Sequence, residues 1–221
     1  MIVMPGARPF EEHAEEYDRW FDENERVYLA ELDAVRAMIP EKGISLEVGA
    51  GTGRFAAPLG IRFGLEPSRS MASIARGRGV AMVEGVAESL PFLEASFDTV
   101  LMITAVCFLE DMTAAFDEAY RVLRRDGVLV AGILDRDTEG GRAHERGSAG
   151  SRFFGAARLR SAREVICEMA RRGFHELRSV QTLCGSSREA AGDTVERGYG
   201  RGFFAVLRGR KQHSEGGGIE G

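Results

Sequence analysis

The sequence predicts an α/β fold in which a mostly parallel sheet is covered by helices on both faces. Five short apolar runs recur between Ile44 and Leu134, and segments with helical spacing separate them. Short buried strands that alternate with helices are typical of parallel sheets. Three glycines in five positions follow the first run, in the stretch LEVGAGTGRF of residues 46–55. Such a cluster indicates that the main chain there comes close to another group.

Two amphipathic helices are predicted before the first strand. Apolar residues recur with the spacing of a helix from Phe10 to Phe21, and the spacing repeats from Tyr28 to Ile39 before Pro40 ends it. We therefore expect residues 1–40 to form a helical cap. The domain that it covers is expected to span residues 41–210.

The strands are predicted from apolar runs bounded by glycine or by charged residues. Five come first, ISLEV, IRFGLE, GVAMVE, FDTVLMIT and GVLVAGIL, and two more are expected at residues 174–183 and 202–207. The helix after the glycine cluster, RFAAPLG, should run for two turns at most because Pro58 interrupts it.

The later helices carry recognisable capping residues. The segment SRSMASIARG has helical spacing, and DMTAAFDEAYRVLRRDG places Asp111 or Thr113 at its start and Gly127 just past its end. Ser161 and Glu164 have the spacing of a capping box before a third helix. These residues predict where each helix begins.

Three segments show no packing pattern. Residues 136–160 are rich in Gly, Ser and Arg, and residues 185–200 are polar, so both are predicted to be irregular. Residues 211–221 combine glycine with charge and lack apolar spacing, so we expect a disordered tail there.

Composition and charge limit the class of protein. The chain has 221 residues, of which 44% are hydrophobic, enough for the core of one domain. A net charge of −5 gives no overall attraction to nucleic acid or to an anionic membrane. The longest apolar run, residues 100–109, is about half the length of a membrane helix. We expect a soluble protein without a nucleic-acid or membrane partner, and the sequence indicates no particular oligomeric state.

The cysteines indicate a reducing compartment. Cys107, Cys167 and Cys184 are odd in number and far apart in the sequence. Such a set is typical of reduced thiols and not of a disulfide framework or a zinc site. The prediction is a cytoplasmic protein without a metal site.

Ligands of parallel α/β proteins bind at the carboxyl ends of the strands. This rule selects the residues that follow the five early strands, which are Glu47–Gly53, Glu66, Ala87 and Glu88, Thr104, and Asp135. Glu66 follows Glu47 by 19 residues, close to the spacing at which such proteins place an acid that accepts both ribose hydroxyls. The sequence therefore predicts Glu66 as a ribose-binding acid.

The glycine cluster departs from the fingerprint of dinucleotide-binding loops. GAGTG reads G-x-G-x-G, and Arg54 stands where the fingerprint G-x-G-x-x-G has its third glycine. This difference weakens the prediction of a cofactor that carries a pyrophosphate, without excluding it.

Four stretches of residues 44–135 carry a resemblance to a known family: LEVGAGTGRF, GLEPSRSM, EGVAESLPFLEASFDTV and AAFDEAYRVLRRDGVLV. They resemble the core of the class I S-adenosylmethionine-dependent methyltransferases, in particular the small-molecule group that includes the quinone-biosynthesis methyltransferases (methyltransferase type 11). The resemblance implies a Rossmann-like, doubly wound, mostly parallel sheet of seven strands whose last strand runs antiparallel. It also implies S-adenosylmethionine as cofactor and a small-molecule methyl acceptor as partner.

The resemblance further implies the cofactor contacts, residue by residue. Gly49, Gly51 and Gly53 would line the methionine and ribose, Glu47 would lie near the ammonium group, Glu66 on the ribose hydroxyls, Pro67 and Met71 near the adenine, Ala87 and Glu88 at the adenine amino group, and Thr104 under the sulfonium. In YDRWF, Tyr17 would cap the cofactor, because an aromatic face attracts a sulfonium cation. The alternative for Tyr17 is an ordinary place in the core.

Methyl transfer from a sulfonium is an in-line displacement with a good leaving group, so positioning can supply much of the catalysis and no metal is required. The catalytic residues are not identified by the sequence, and His144 is only a weak candidate for a general base. An anionic acceptor could be bound by arginines of the segment 136–160, which are Arg136, Arg142, Arg146, Arg152, Arg158 and Arg160. A solvated loop explains these arginines equally well.

Two other functions compete with a small-molecule methyltransferase. A non-catalytic relative that binds the cofactor is compatible with the same binding residues and with the lack of an evident base. An NAD(P)-dependent oxidoreductase fits the fold and the ribose acid, but Arg54 in place of the third glycine counts against it.

Overall fold

The computed structural model describes residues 8–148, 150–184 and 194–212. Its strands are β1 (Ser45–Val48), β2 (Phe63–Leu65), β3 (Ala81–Val83), β4 (Phe97–Ile103), β5 (Leu123–Leu134), β6 (Phe174–Cys184), β7 (Glu196–Arg197) and β8 (Gly202–Lys211). Its helices are α1 (Arg8–Glu12), α2 (Ala14–Glu23), α3 (Glu25–Arg36), α4 (Arg69–Gly77), α5 (Met112–Val122), α6 (Glu139–Ser148) and α7 (Ala162–Arg171), and a single 3₁₀ turn spans Val106–Phe108.

The strands form one sheet in the order β3-β2-β1-β4-β5-β8-β6-β7. β1 to β5 pair in parallel, whereas β8 runs antiparallel to both β5 and β6. The predicted α/β class and the antiparallel last strand are therefore confirmed. Within the described residues the sheet has eight strands, because the two-residue β7 adds to the edge next to β6 in a segment predicted to be irregular.

Alternate side chains of the central strands fill two separate cores. On β4, Leu101 and Ile103 pack on one face with Val35 of α3, whereas Val100 and Met102 pack on the other face with α5 and α7. Because both faces are covered, these strands are apolar on both sides, as expected for a parallel sheet. This layering leaves the ends of the strands as the place where a ligand can enter.

Side-chain caps fix the starts of the three later helices, as predicted for α5 and α7. Ser68 Oγ accepts a hydrogen bond from Met71 N at 3.2 Å before α4, and Asp111 Oδ1, and not Thr113, accepts one from Ala114 N at 3.1 Å before α5. Ser161 and Glu164 form the predicted capping box of α7.

The first predicted helix is interrupted. Residues 10–21 were expected to form one helix, but His13 leaves the helical region with φ −134° and separates α1 from α2. The segment RFAAPLG forms hydrogen-bonded turns and no regular helix, because Pro58 cannot donate a main-chain hydrogen bond.

The prediction of an irregular segment at residues 136–160 is wrong for its first half, where α6 forms. Thr138 Oγ1 caps this helix by accepting a hydrogen bond from Gly141 N at 3.0 Å. His144 packs edge-to-face on Phe154 with ring centroids 5.1 Å apart. A cap and a single aromatic contact do not form an apolar stripe, so a search for such a stripe does not find the helix.

The last described strand continues slightly past the expected domain boundary. β8 continues through Lys211, one residue into the predicted tail, and residues 213–221 lie outside the described residues, as do residues 185–193. Lys211 Nζ donates hydrogen bonds to the carbonyl oxygens of Tyr120 and Leu123, at 2.7 and 2.8 Å, and so closes the end of α5. None of the helices described is long and apolar enough to cross a membrane.

Candidate active site

A cavity of about 490 Å³ lies at the carboxyl edge of the parallel strands. Its floor consists of residues that directly follow β1, β2 and β4, which are Gly49 and Gly51, Glu66 and Pro67, and Thr104 and Ala105. Phe10 of α1 and Tyr17 of α2 contribute to its wall. The rule of strand ends therefore selected the floor of the cavity after β1, β2 and β4, whereas Asp135, which follows β5, is not a lining residue.

Nine of the eleven predicted cofactor-binding residues line this cavity: Tyr17, Gly49, Gly51, Glu66, Pro67, Met71, Ala87, Glu88 and Thr104. The structure does not place Glu47 or Gly53 among the lining residues.

The glycine loop needs its glycines for two different reasons. Gly49, Gly51 and Gly53 have φ of 71°, 55° and 79°, the left-handed region that disfavours other residues. A Cβ atom on Gly49 would lie 2.7 Å from the Cβ of Ala105, so the loop also approaches the end of β4 closely. Gly53 instead faces α4, where a Cβ atom would lie 3.2 Å from the Cβ of Ala75. Its role is packing, which is why it does not reach the cavity.

Glu66 joins the glycine loop to the end of β2. Its carboxylate, in a residue only 7% exposed, accepts hydrogen bonds from Gly51 N and from Ser68 N, both at 3.0 Å. Burial raises the pKa of Glu66 to about 7, and the two main-chain hydrogen bonds oppose that rise. Each carboxylate oxygen can accept more than one hydrogen bond, so both can still receive a hydroxyl from the cavity.

Aromatic side chains close the cavity opposite Glu66. The ring of Phe10 meets those of Tyr17 and Phe108 edge-on, with centroids 5.3 and 5.2 Å apart, and Tyr17 meets Phe153 at 5.4 Å. Burial raises the pKa of the Tyr17 phenol, so the group is neutral at ordinary pH. Such rings present an electron-rich face that can attract a cation.

Thr104 holds a strained main-chain conformation beside this phenol. Its φ of 52° is in the left-handed region, which a β-branched residue rarely adopts. The amide nitrogen donates to the carbonyl oxygen of Gly132 at 2.8 Å and keeps the residue in place. Strain of this kind is concentrated at ligand sites.

Comparison with known proteins gives the family of the chain. Residues 46–131 match the model of a methyltransferase domain. A crystal structure from Thermotoga maritima, described as a SAM-dependent methyltransferase and possible histamine N-methyltransferase, is 44% identical, with a TM-score of 0.88 over 93% of this chain and 100% of that one. The chain belongs to the class I S-adenosylmethionine-dependent methyltransferases.

Two further relatives of this methyltransferase have no assigned function. An uncharacterized protein of Methanocaldococcus jannaschii is 40% identical over 91% of this chain and 98% of its own length. An uncharacterized protein of Mycobacterium tuberculosis is 37% identical over 92% of this chain and 74% of its own length. The similarity thus extends well beyond the methyltransferase domain model to nearly the whole chain.

S-adenosylmethionine is the cofactor of the family, and the cavity fits it. A buried carboxylate at Glu66 suits a vicinal diol, and the main chain at Gly49 and Gly51 leaves room for a ligand to approach. The rings of Phe10 and Tyr17 suit a sulfonium. The family membership also removes the alternative of an NAD(P)-dependent oxidoreductase.

The candidate base, His144, does not reach the cavity lining. His144 packs between Phe154 and Phe203, with ring centroids 5.1 and 5.6 Å away, and is not a lining residue of the cavity. The interpretation of His144 as a general base is therefore not supported by its position.

Two of the six arginines considered for acceptor binding are engaged in ion pairs elsewhere. Arg136 donates to Glu164 at 2.8 Å, and Arg152 pairs with Glu16 of α2. Arg158 alone among the six lines the cavity.

Several lining residues were not among the predicted site residues: Phe10, Cys107, Phe108 and Ala156. Cys107 and Phe108 follow β4 directly, so the rule of strand ends could have included them. Phe10 shares the apolar stripe of Tyr17, whereas nothing in the sequence distinguishes Ala156. Among the residues that the structure describes, no group of three or more His, Cys, Asp or Glu side chains could hold a metal ion.

Glu47 lies in β1, where only 1% of the residue is exposed, and its Oε2 has no hydrogen-bond partner within the described ranges. Burial raises its pKa to about 8, and the nearby carboxylate of Glu66 adds to the rise. The native state therefore binds a proton more tightly than the unfolded chain, whose ordinary pKa is 4.5. The stabilisation from this proton is full below pH 4.5 and is lost as the pH rises through about 8.

We expect the free energy of unfolding of the ligand-free protein to fall between pH 5 and pH 8. In Glu47→Gln, whose amide carries no charge to bury, the fall should be smaller by about 2 kcal/mol. Urea unfolding at several pH values measures the difference, and Glu94→Gln, at an exposed carboxyl group, is the matched control. Equal pH slopes in Glu47→Gln and the wild type would contradict the assignment.

Proposed function

We propose that this methyltransferase transfers the methyl group of S-adenosylmethionine to a small-molecule acceptor. The observation that carries the proposal is the cavity itself, where a buried acid and bare main chain face an aromatic wall within about 490 Å³. A cavity of this size is typical of sites for small molecules. The same space must receive the cofactor and the acceptor's reacting group.

The proposed cofactor contacts follow the geometry. Glu66 accepts the ribose hydroxyls, Gly49 and Gly51 pass along the methionine, and Tyr17 with Thr104 lies at the sulfonium. The adenine then falls among the remaining predicted residues, Pro67, Met71, Ala87 and Glu88. Glu47 stays a prediction as the partner of the ammonium group, since it lies outside the lining.

The chemistry we propose depends on alignment. Displacement at a sulfonium needs the acceptor atom, the methyl carbon and the sulfur in one line, and holding them so supplies much of the acceleration. Phe108 and Ala156 would restrict the acceptor's position, while Phe10 and Tyr17 exclude water from the methyl group. No lining side chain is assigned as a base.

The proposed acceptor carries an anionic group. Arg158 is the only lysine or arginine among the lining residues described. Its main chain is fixed by a hydrogen bond from Arg158 N to the carbonyl oxygen of Cys107 at 2.8 Å. A guanidinium group binds a carboxylate or phosphate with two parallel hydrogen bonds.

An amine is the second candidate acceptor. The Thermotoga maritima relative is described as a possible histamine N-methyltransferase, and Glu88 and Glu110 also line the cavity. Their carboxylates and the aromatic wall would suit a cation.

The three free cysteines agree with a cytoplasmic location, which we also propose.

Calorimetry and a transfer assay test the function together. We expect S-adenosylmethionine and S-adenosylhomocysteine each to bind, and labelled methyl groups to pass from the cofactor to small acids in cell extracts. Transfer to amines instead would select the second acceptor class. Binding without any transfer would identify a non-catalytic relative, and no binding at hundreds of micromolar would overturn the proposal.

A further inference from the structure

Arg54, the residue that breaks the dinucleotide fingerprint, is held by two aspartates of α2. Its Nε and Nη2 donate to the two carboxylate oxygens of Asp18, both at 2.9 Å. Its Nη1 and Nη2 donate to Asp22 at 2.7 and 2.8 Å. The side chains of Arg54 and Asp18 are only 15% and 16% exposed, so their two-pronged ion pair is shielded from water, whereas Asp22 lies nearer the surface.

A second arginine completes the cluster. Arg78, just after α4, donates from Nη2 to Asp18 Oδ2 at 2.7 Å and from Nη1 to the carbonyl oxygen of Thr52 at 2.8 Å. Burial favours the neutral form of Asp18, yet hydrogen bonds from Arg54 and Arg78 bring its pKa down to about 2. Asp18 therefore stays ionised at neutral pH, and the four residues Asp18, Asp22, Arg54 and Arg78 are called here the charge cluster.

The charge cluster joins the glycine loop to the helix that carries Tyr17. Arg54 directly follows Gly53, its carbonyl oxygen accepts a hydrogen bond from Tyr28 Oη at 2.5 Å, and Asp18 directly follows Tyr17. The glycine loop and α2 are therefore linked through Arg54 and Asp18, the residues directly next to Gly53 and Tyr17.

A separate set of hydrogen bonds links α1 to the loop that follows β2, the second loop proposed to hold the cofactor. Glu11 accepts hydrogen bonds from Ser68 Oγ at 2.6 Å and from Ser70 N and Ser70 Oγ, both at 3.1 Å. Ser68 lies two residues after Glu66. Both loops that hold the nucleoside are therefore linked to the helices that cover it.

We propose that the charge cluster positions the Tyr17 ring against the sulfonium, so that the site favours the charged methyl donor over its neutral product. This inference rests on the proposed function, in which Tyr17 faces the sulfur atom. Transfer of the methyl group converts the sulfonium to an uncharged thioether, and the attraction of the aromatic face for the ligand is lost. The product therefore lacks an interaction that the methyl donor has, while its own affinity depends little on the ring.

An isosteric change isolates this role. Asp18→Asn keeps the size of the side chain but removes the charge that Arg54 and Arg78 share. We expect the dissociation constant of S-adenosylmethionine to rise roughly tenfold, while that of S-adenosylhomocysteine changes less than about twofold. Glu176→Gln is the matched control, because it removes an ion pair to Arg210 (3.1 Å) on strands β6 and β8.

A double variant tests whether Asp18 acts through Tyr17. Tyr17→Leu should show the same selective loss, and adding Asp18→Asn to it should cause no further loss, because the effects of coupled residues do not add. Equal weakening of both ligands by Asp18→Asn, or additive losses in the double variant, would overturn the inference. Both results leave the proposed function intact, whereas a wild type that binds neither ligand overturns the function itself.

The folding of each variant is checked alongside the binding measurements. Thermal unfolding of each variant shows whether it is native, and Asp22→Asn is the second variant if Asp18→Asn does not fold. Asp22 is 66% exposed at its side chain, and its loss leaves the pair of Arg54 with Asp18. A smaller loss of the same selectivity is expected from Asp22→Asn, and no selectivity change in it would also count against the inference.

Discussion

Glu66→Ala should weaken the binding of S-adenosylmethionine by roughly 10- to 100-fold. The substitution removes the charged acceptor that we place on the ribose hydroxyls. It also leaves Gly51 N and Ser68 N without the carboxylate that accepts their hydrogen bonds at 3.0 Å, so both cofactor loops lose a shared support. Calorimetric titration with S-adenosylmethionine and with its demethylated product measures the loss.

Glu66→Gln is the control for this variant. Glutamine keeps the shape of the side chain and one carbonyl oxygen, so it should fall between the wild type and Glu66→Ala. Because Glu66 is buried at a raised pKa, neither change should lower the free energy of unfolding greatly. Unchanged affinity in Glu66→Ala would mean that the ribose binds elsewhere.

Gly49→Ala should destabilise the protein by about 2 kcal/mol or more and abolish cofactor binding. A left-handed conformation costs a residue with a Cβ atom roughly 1 to 2 kcal/mol, and Gly49 has φ 71°. The added Cβ atom would also lie 2.7 Å from the Cβ of Ala105, so the ends of β1 and β4 must separate. That movement widens the floor of the cavity where the methionine is placed.

Gly60→Ala separates the cost of the left-handed conformation from the cost of the contact with Ala105. Gly60 has nearly the same conformation, φ 72°, but no atom lies within 4 Å of the position of its Cβ. It should therefore show the conformational cost of about 1 kcal/mol and normal cofactor affinity. Urea unfolding and calorimetry compare the two variants, and equal behaviour would show that the contact with Ala105 has no effect.

The sequence predicted the floor of the site well because parallel strands bring their carboxyl ends to one edge. Gly49, Glu66 and Thr104 are far apart in the chain, yet each follows a strand, so their meeting depends only on strand order. The same rule selected Ala87 and Glu88 after β3, and the resemblance added Pro67 and Met71; all four also line the cavity. Which part of the cofactor each of them contacts stays a prediction.

The walls were harder to predict because long-range contacts set them. His13 breaks the first helix, and the turn directs Phe10 toward Phe108 and Tyr17. The α6 helix depends on Thr138 and on packing by His144, neither of which gives a periodic pattern. Gly53 was predicted to line the cofactor but packs against α4 instead. The sequence alone does not distinguish a glycine beside a ligand from a glycine beneath a helix.

The carboxylate of Glu11 lies at the start of α4 and affects which metabolites can compete with the cofactor for this site. The first turn of a helix is where many proteins hold phosphate groups. Here Glu11 already occupies it and uses the amide of Ser70. A phosphate attached to the ribose next to Glu66 would meet negative charge from two sides. The pocket should therefore accept a bare nucleoside and reject coenzymes phosphorylated on that sugar, however abundant they are in the cell.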